Sequence, residues 1–351
     1  MAWHGIFGHD EVVGKLRRAL GRKRLASSFL FAGPAGIGKR TFALKLAQAV
    51  LCQQRPEETL DPCETCPSCT MALAGTHPDI DVASKPSDKA FIPVELFLGD
   101  REHRGREGMC HRIGMKPFLG GRKIAIIDDA DFLNAEGANC LLKTLEEPPP
   151  QSLLILIGTS PAKQLPTIRS RCQLIRFNPL QIEVVAELLV VRGVVAEPSD
   201  ARRLAGYSEG SVQRAAELAD PDLWAFRQTL LERLCAPVLP SVSLAAAVST
   251  FVDDAGKEAS ARRDRLRRLL AFAAEFYRRL MQVQSGAGLP DEAEGARYVQ
   301  EAAAGGHYGE SAAIACLDRC LDAAAQLDRN ANQTTLIEAW LDDLARLQMA
   351  R

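Results

Sequence analysis

The stretch Phe29-Leu30-Phe31-Ala32-Gly33-Pro34-Ala35-Gly36-Ile37-Gly38-Lys39-Arg40 decides the fold. A short apolar strand runs into a glycine-rich loop. From Lys39 to Cys52 the apolar positions Phe42, Leu44, Leu46, Ala47 and Val50 recur at helical spacing. A strand, a G-x-x-x-x-G-K loop and a helix in that order make a cradle for phosphates. The glycines let backbone N–H groups turn inward, the helix start adds a positive dipole, and Lys39 supplies a point charge. Gly33, Gly36, Gly38, Lys39, Arg40 and Thr41 are therefore the candidate nucleotide-binding residues. The residue after the lysine is ordinarily Ser or Thr, whose hydroxyl binds Mg²⁺, and here it is Arg40. Thr41 comes one position later, which on a helix points its side chain elsewhere. ATP or ADP is the expected ligand, without ordinary Mg²⁺ coordination; the alternative is a loop that binds nucleotide only weakly or structurally.

Outward from this loop, short apolar runs alternate with helical patterns, which predicts a parallel sheet flanked by helices. Ile124-Ala125-Ile126-Ile127 reads as a buried strand, and Leu153 to Ile157 as another. Asn134 caps a helix carrying Leu141, Leu142 and Leu145 that stops at Pro148-Pro149-Pro150. Asp128-Asp129, after the first of these strands, fits an acidic pair that orders Mg²⁺ and activates water. The second member is usually Glu; Asp129 is one methylene shorter, which argues against a general base. Binding with poor hydrolysis is the expectation. After Phe177-Asn178-Pro179 the strand signals vanish. Residues 180–219 read as short helices broken at Gly206 and Gly210, and from about 221 the chain is rich in Ala, Leu and Arg with long helical patterns. The clearest runs from Glu258 to Gln284, with an apolar stripe from Leu266 to Met281. Its Arg262, Arg263, Arg265, Arg267 and Arg268 fit a solvated face better than a nucleic-acid contact. Segments 55–62 and 285–296 read as polar loops.

Cys63-x-x-Cys66-x-x-Cys69, preceded by Cys52, places four thiols where two-residue spacers let them converge on one tetrahedral ion. Four cysteines close the coordination shell, so a structural Zn²⁺ is expected; the alternative is a set of unlinked reduced thiols. Among 351 residues the hydrophobic fraction is 47% and the charged fraction 25%, which excludes a disordered or fibrous chain. The net charge of −1 argues against binding nucleic acid by bulk charge alone. No apolar run is long enough to cross a bilayer, and the start Met1-Ala2-Trp3-His4-Gly5 has no signal-peptide character, so a cytoplasmic protein is expected.

These motifs in this order resemble the clamp-loader AAA+ family. The thiol cluster after a phosphate loop, Gly75-Thr76-His77-Pro78-Asp79, and Ile126-Ile127-Asp128-Asp129-Ala130-Asp131 carry the resemblance. So do Leu141-Leu142-Lys143-Thr144-Leu145-Glu146-Glu147-Pro148-Pro149 and Ser170-Arg171-Cys172. His77 reads equally well as a motif residue or as a capping or core histidine. The resemblance implies an α/β plus all-α chain. Residues 1–178 would be an AAA+ P-loop domain with the zinc module at 52–69, residues 179–220 a helical lid, and residues 221–351 a helical collar that joins subunits into a ring. It implies that Asp128 is the metal-binding acid, Thr159 the γ-phosphate sensor, and Arg171 an arginine finger reaching a neighbouring subunit's ATP site. The lid arginine expected after Gly210-Ser211 is displaced: Gln213 holds its place and Arg214 follows.

The implied function is a subunit of the bacterial DNA polymerase III holoenzyme, a nucleotidyltransferase complex, that helps load the sliding clamp on primed DNA beside gamma/tau and delta subunits. Arg40, Asp129 and Gln213 favour a weakly or non-hydrolysing stator. The alternative is an active gamma/tau-type motor; the end of the chain at 351, without a long Pro-rich extension, also favours the stator. A stand-alone repair helicase fits the 141–149 and 170–172 motifs less well.

Overall fold

The computed structural model describes residues 3–86, 89–286 and 295–349. It divides into two compact units, Met1–Ala219 and Asp220–Arg351. The first unit begins with α1 (Asp10–Gly21), β1 (Ser28–Ala32), α2 (Lys39–Val50), α3 (Pro67–Ala74) and β2 (Ile80–Ala83). Two single turns, α4 (Glu95–Leu98) and α5 (Met109–Arg112), lead to β3 (Lys123–Ile127), α6 (Ala135–Glu146) and β4 (Ser152–Gly158). The turn α7 (Pro166–Arg169), β5 (Gln173–Arg176), α8 (Ile182–Val191), α9 (Pro198–Tyr207) and α10 (Val212–Glu217) complete it.

The five strands form one parallel sheet in the order β2-β3-β4-β1-β5. Its central strands are buried on both faces, which is why their sequences are unbroken apolar runs. Period-two alternation sends Phe29, Phe31, Ile124, Ile126, Leu153, Ile155 and Ile157 to one face, where Trp3, Phe42 and Phe177 pack on them. It sends Leu30, Ala125, Ile127, Leu154 and Leu156 to the other, under Leu141 and Leu145 of α6. The order places β4 between β1 and β3, so the loops leaving the carboxyl ends of all three converge. A crevice at that edge is where open α/β sheets hold ligands.

Two local expectations are revised. Gly206 lies inside α9 and breaks nothing, because Ala201, Leu204 and Ala205 bury that helix; the break is at Gly210, whose φ is +77°. Stretch 84–112, for which the resemblance to the clamp-loader family offers no account, supplies Ile92, Phe97 and Met109 to the second face of the sheet. The polar segment 55–62 contains a short 3-10 turn at Glu57–Thr59. Of the polar segment 285–296, residues 287–294 lie outside the described residues.

The second unit is helical: α11 (Pro221–Cys235), α12 (Ser241–Asp253), α13 (Ala259–Gln284), α14 (Ala296–Ala304), α15 (Glu310–Asp328) and α16 (Gln333–Met349). Asp220 accepts hydrogen bonds from the Asp222 and Leu223 N–H groups and so caps α11. On α13 the stripe Leu266, Leu269, Leu270, Ala273, Phe276, Tyr277 and Leu280 is buried together with Phe272. Several of its arginines are committed within the unit: Arg262 pairs with Asp253 at 3.2 Å, and Arg267 with Asp328 at 2.8 Å. Arg265 donates to the Phe251 carbonyl at 3.0 Å and lies over its ring.

Candidate functional site: a phosphate-loop cleft and a thiol cluster

The loop after β1 is shaped by two glycines in the left-handed region, Gly36 (φ +74°) and Gly38 (φ +94°). A side chain at Gly36 would also collide with Ser211 and Gln213 at the start of α10, so the loop and the helical segment fit only without one. Lys39 is buried, and its Nζ donates to the Gly33 and Pro34 carbonyls at 2.7 and 2.6 Å. Burial lowers its pKa, against the attraction of Asp128, Asp131 and Asp129. The reading of the sequence missed a second anchor. His9, buried against Phe177 and Phe42, has Nε2 2.9 Å from the Ile37 carbonyl. Burial depresses its pKa, so the ring is neutral and Nε2–H donates to the loop.

The acids leaving β3 occupy different environments. Asp128 accepts from Arg40 Nη1 at 3.2 Å and from the Asp129 N–H at 3.0 Å. Asp129 has a φ of +56°, and burial followed by repulsion from Asp128 raises its pKa. Asp131 accepts from the Thr159 N–H at 2.8 Å, from the Thr159 hydroxyl, and from Gln164 Nε2 at 2.9 Å. Thr159 at the end of β4 thus borders the cleft with its hydroxyl already bonded to a carboxylate. Thr41 borders the cleft as well.

A cleft of about 630 Å³ joins these groups. Its lining combines the polar groups of the phosphate loop and the acids after β3 with apolar side chains, among them Ile6, Phe7, Leu180, Leu188 and Val212. Gln213 lines it and donates its N–H to the Gly36 carbonyl at 3.4 Å, whereas Arg214 pairs with Glu209 at 2.9 Å. Arg171 lies outside the cleft. Its guanidinium meets Glu146 at 2.5 Å and donates to the Thr167 carbonyl at 2.9 Å.

The Sγ atoms of Cys52, Cys63, Cys66 and Cys69 all lie within 4.8 Å of one another. Backbone N–H groups point at three of them: Cys63 N–H at Cys52, Cys66 N–H at Cys63 and Cys69 N–H at Cys66, at 3.3–3.4 Å. Such donors stabilise thiolates. At Cys63 burial raises the pKa, but the Thr65 and Cys66 N–H groups overcome it and bring the thiol down to about 6. The four can hold a metal ion. Elsewhere burial pushes Cys172, Cys316 and Cys320 up to about 12, the behaviour of inert core thiols. The thiol module is tied to the core from several sides. Trp3 Nε1 donates to the Leu60 carbonyl at 2.8 Å, and Arg122 holds Glu57 through two hydrogen bonds. His77 is a packing residue. It accepts the Asp79 N–H at Nδ1, so Nε2 carries the proton to Ser68 Oγ, which donates to the Leu51 carbonyl.

Residues 8–181 match the family model described as DNA polymerase III, delta subunit. A DNA polymerase III subunit delta′ from Pseudomonas aeruginosa is 36% identical over 199 residues, 56% of this chain and 57% of that protein. One from Bacillus subtilis is 33% identical over 214 residues, 61% of this chain and 60% of that protein. A DNA polymerase III subunit tau from Bacillus subtilis is 30% identical over 61% of this chain and 34% of its own length. The match thus spans less than two thirds of each of these relatives. Among the described residues no helix is long and apolar enough to cross a membrane. Over residues 8–181, which hold the phosphate loop, the acids after β3 and the thiol cluster, the chain is similar to the DNA polymerase III delta and delta-prime subunits.

Proposed function

We propose that this chain is a delta-prime-type clamp-loader subunit of the DNA polymerase III holoenzyme. It helps to place the sliding clamp on primed DNA as a stator that binds ATP or ADP but hydrolyses it weakly or not at all. Gamma/tau and delta subunits are its partners. Residues 1–178 form its P-loop domain, 179–220 its lid and 221–351 its collar. The observation that carries the stator reading is the Arg40–Asp128 pair, which puts a guanidinium beside the acid that a hydrolysing site keeps for metal. The bonding of the Thr159 hydroxyl to Asp131 and the placement of Gln213 support it. The purified chain alone should hydrolyse ATP at background. Robust turnover that Lys39→Ala abolishes would establish the gamma/tau-type motor instead.

The thiol cluster supports a structural Zn²⁺. A tetrahedral site with Zn–S of about 2.3 Å has sulfur–sulfur edges of about 3.8 Å, and the Cys63 and Cys69 Sγ atoms are 3.9 Å apart. With four protein ligands no coordination position is left for substrate, so the ion acts on folding. Metal analysis should find about one Zn²⁺ per chain. Cys66→Ser should lose the metal and destabilise the module while β1 to β5 stay assembled, because the binding energy of a structural site is folding energy. Metal-free wild-type protein of undiminished stability would refute the site.

A further inference from the structure

We infer that Arg40 is a built-in counter-cation, so that this cleft takes its nucleoside phosphate without a divalent metal. The inference rests on the reading of the cleft as a nucleotide site. Arg40 stands in the first turn of α2, directly after Lys39, where the side chain of that position faces the phosphate end of the cleft. A guanidinium has five donors and no acceptor, so it cannot ligate a cation as a serine or threonine hydroxyl would. Instead Nη1 reaches Asp128 Oδ2 at 3.2 Å, and the carboxylate best placed to hold a divalent ion already faces a permanent positive charge. The residues of the cleft therefore do not fit Mg²⁺.

They do fit a phosphate chain with no metal on it. Asp128, Asp129 and Asp131 all line the cleft and would repel phosphoryl oxygens. Arg40 offsets this repulsion beside Asp128, and Lys163 stands 3.9 Å from Asp131. The Arg40 side chain is half exposed, so the donors that Asp128 leaves free can turn to phosphoryl oxygens in the planar, forked geometry that suits them. Lys39 and the N–H groups of the loop complete the set. Where a hydrolysing site of this architecture sets a metal between acid and phosphate, this cleft sets the Arg40 side chain beside the acid.

Isothermal titration of the full chain with ATP, in excess Mg²⁺ and separately in EDTA, tests this. Wild type should bind with dissociation constants that agree within about threefold in the two buffers, whereas Arg40→Thr should bind at least about tenfold more weakly in EDTA than in Mg²⁺. Arg40→Lys keeps the charge without the fork, and should remain indifferent to EDTA at reduced affinity. Melting curves of both variants report whether they are folded. A tenfold or greater loss by wild type in EDTA would overturn the inference and leave the nucleotide reading standing. So would an Arg40→Thr variant as indifferent to EDTA as wild type. No binding by wild type in either buffer would overturn the nucleotide reading, and the inference with it.

Discussion

Replacing Asp79 by Ala should destabilise the sheet edge by about 3–5 kcal/mol, the usual cost of breaking a buried ion pair from one side. Asp79 has no exposed surface and receives the Phe118 N–H at 2.7 Å, the Leu119 N–H at 2.9 Å and Lys123 Nζ at 3.0 Å. Alanine would leave two backbone donors and a largely buried ammonium without an acceptor. Asn at 79 should lose less, since its single carbonyl oxygen still serves some of those donors. Hydrogen exchange of the β2 and β3 peptides in the full chain is the measurement. Protection should fall by more than about a hundredfold in Asp79→Ala, and a change within threefold would show that the pair holds nothing together. Burial alone would raise the pKa of Asp79, but the Leu119 and Phe118 N–H groups and Lys123 hold it below the ordinary carboxylate range. The stability it supplies is therefore present above about pH 3.9 and is lost as pH falls through the range below that value. Neighbouring His77, whose pKa burial depresses, acts in the same direction but at higher pH. Its contribution declines as pH falls below about 6.5.

Arg171→Ala should lower the DNA- and clamp-stimulated ATPase of a reconstituted clamp-loader complex without altering assembly or metal content. An arginine finger is worth roughly 10³–10⁵ in rate at the site it serves. On the proposed role, one of several ATP sites in the complex would lose its finger, and the loss for the whole complex would be partial. Within this chain the guanidinium rests on Glu146, at the end of the Leu141–Pro149 motif, and on the Thr167 carbonyl. Lys at 171 should rescue poorly, because a point charge does not reproduce the bidentate fork. Equal steady-state rates for complexes carrying Arg, Ala or Lys, with assembly verified, would reduce the subunit to a scaffold.

The central fold was legible because its strands are doubly buried. Phe29–Phe31, Ile124–Ile127 and Leu153–Ile157 carry their hydrophobicity without interruption, and the loop between β1 and α2 has a spacing that little else explains. The edge strands were not legible. In β5 only Ile175 is buried, and Ile80-Asp81-Val82-Ala83 in β2 mixes half-exposed residues with a carboxylate bound to Arg112. An edge strand needs only one apolar side chain in the core, and that leaves no pattern. His9 was missed for a different reason: its partner, the Ile37 carbonyl, is remote in the chain, and a single histidine before a helix looks like a cap. The thiol cluster was legible through spacing alone. The Arg40–Asp128 pair was half legible, since the sequence shows an arginine in the wrong place but not what it touches.

The position of β1 in the sheet has a consequence for how the chain is made. Phe29 pairs with Ile155 on one side and Gln173 on the other. A ribosome adding 5–20 residues per second needs roughly 6–25 s after Phe29 to supply the nearer partner. During that interval α2 can form locally, but Phe29 and Phe31 have no strands beside them, and the emerging segment is an unpaired apolar edge. Nearly all of the sheet's contacts are of this long-range kind, which slows folding and prolongs exposure. The loop between β1 and α2 is among the first parts translated and among the last to acquire its shape. Nascent chains should therefore depend on chaperone shielding until residue 176 has left the exit tunnel.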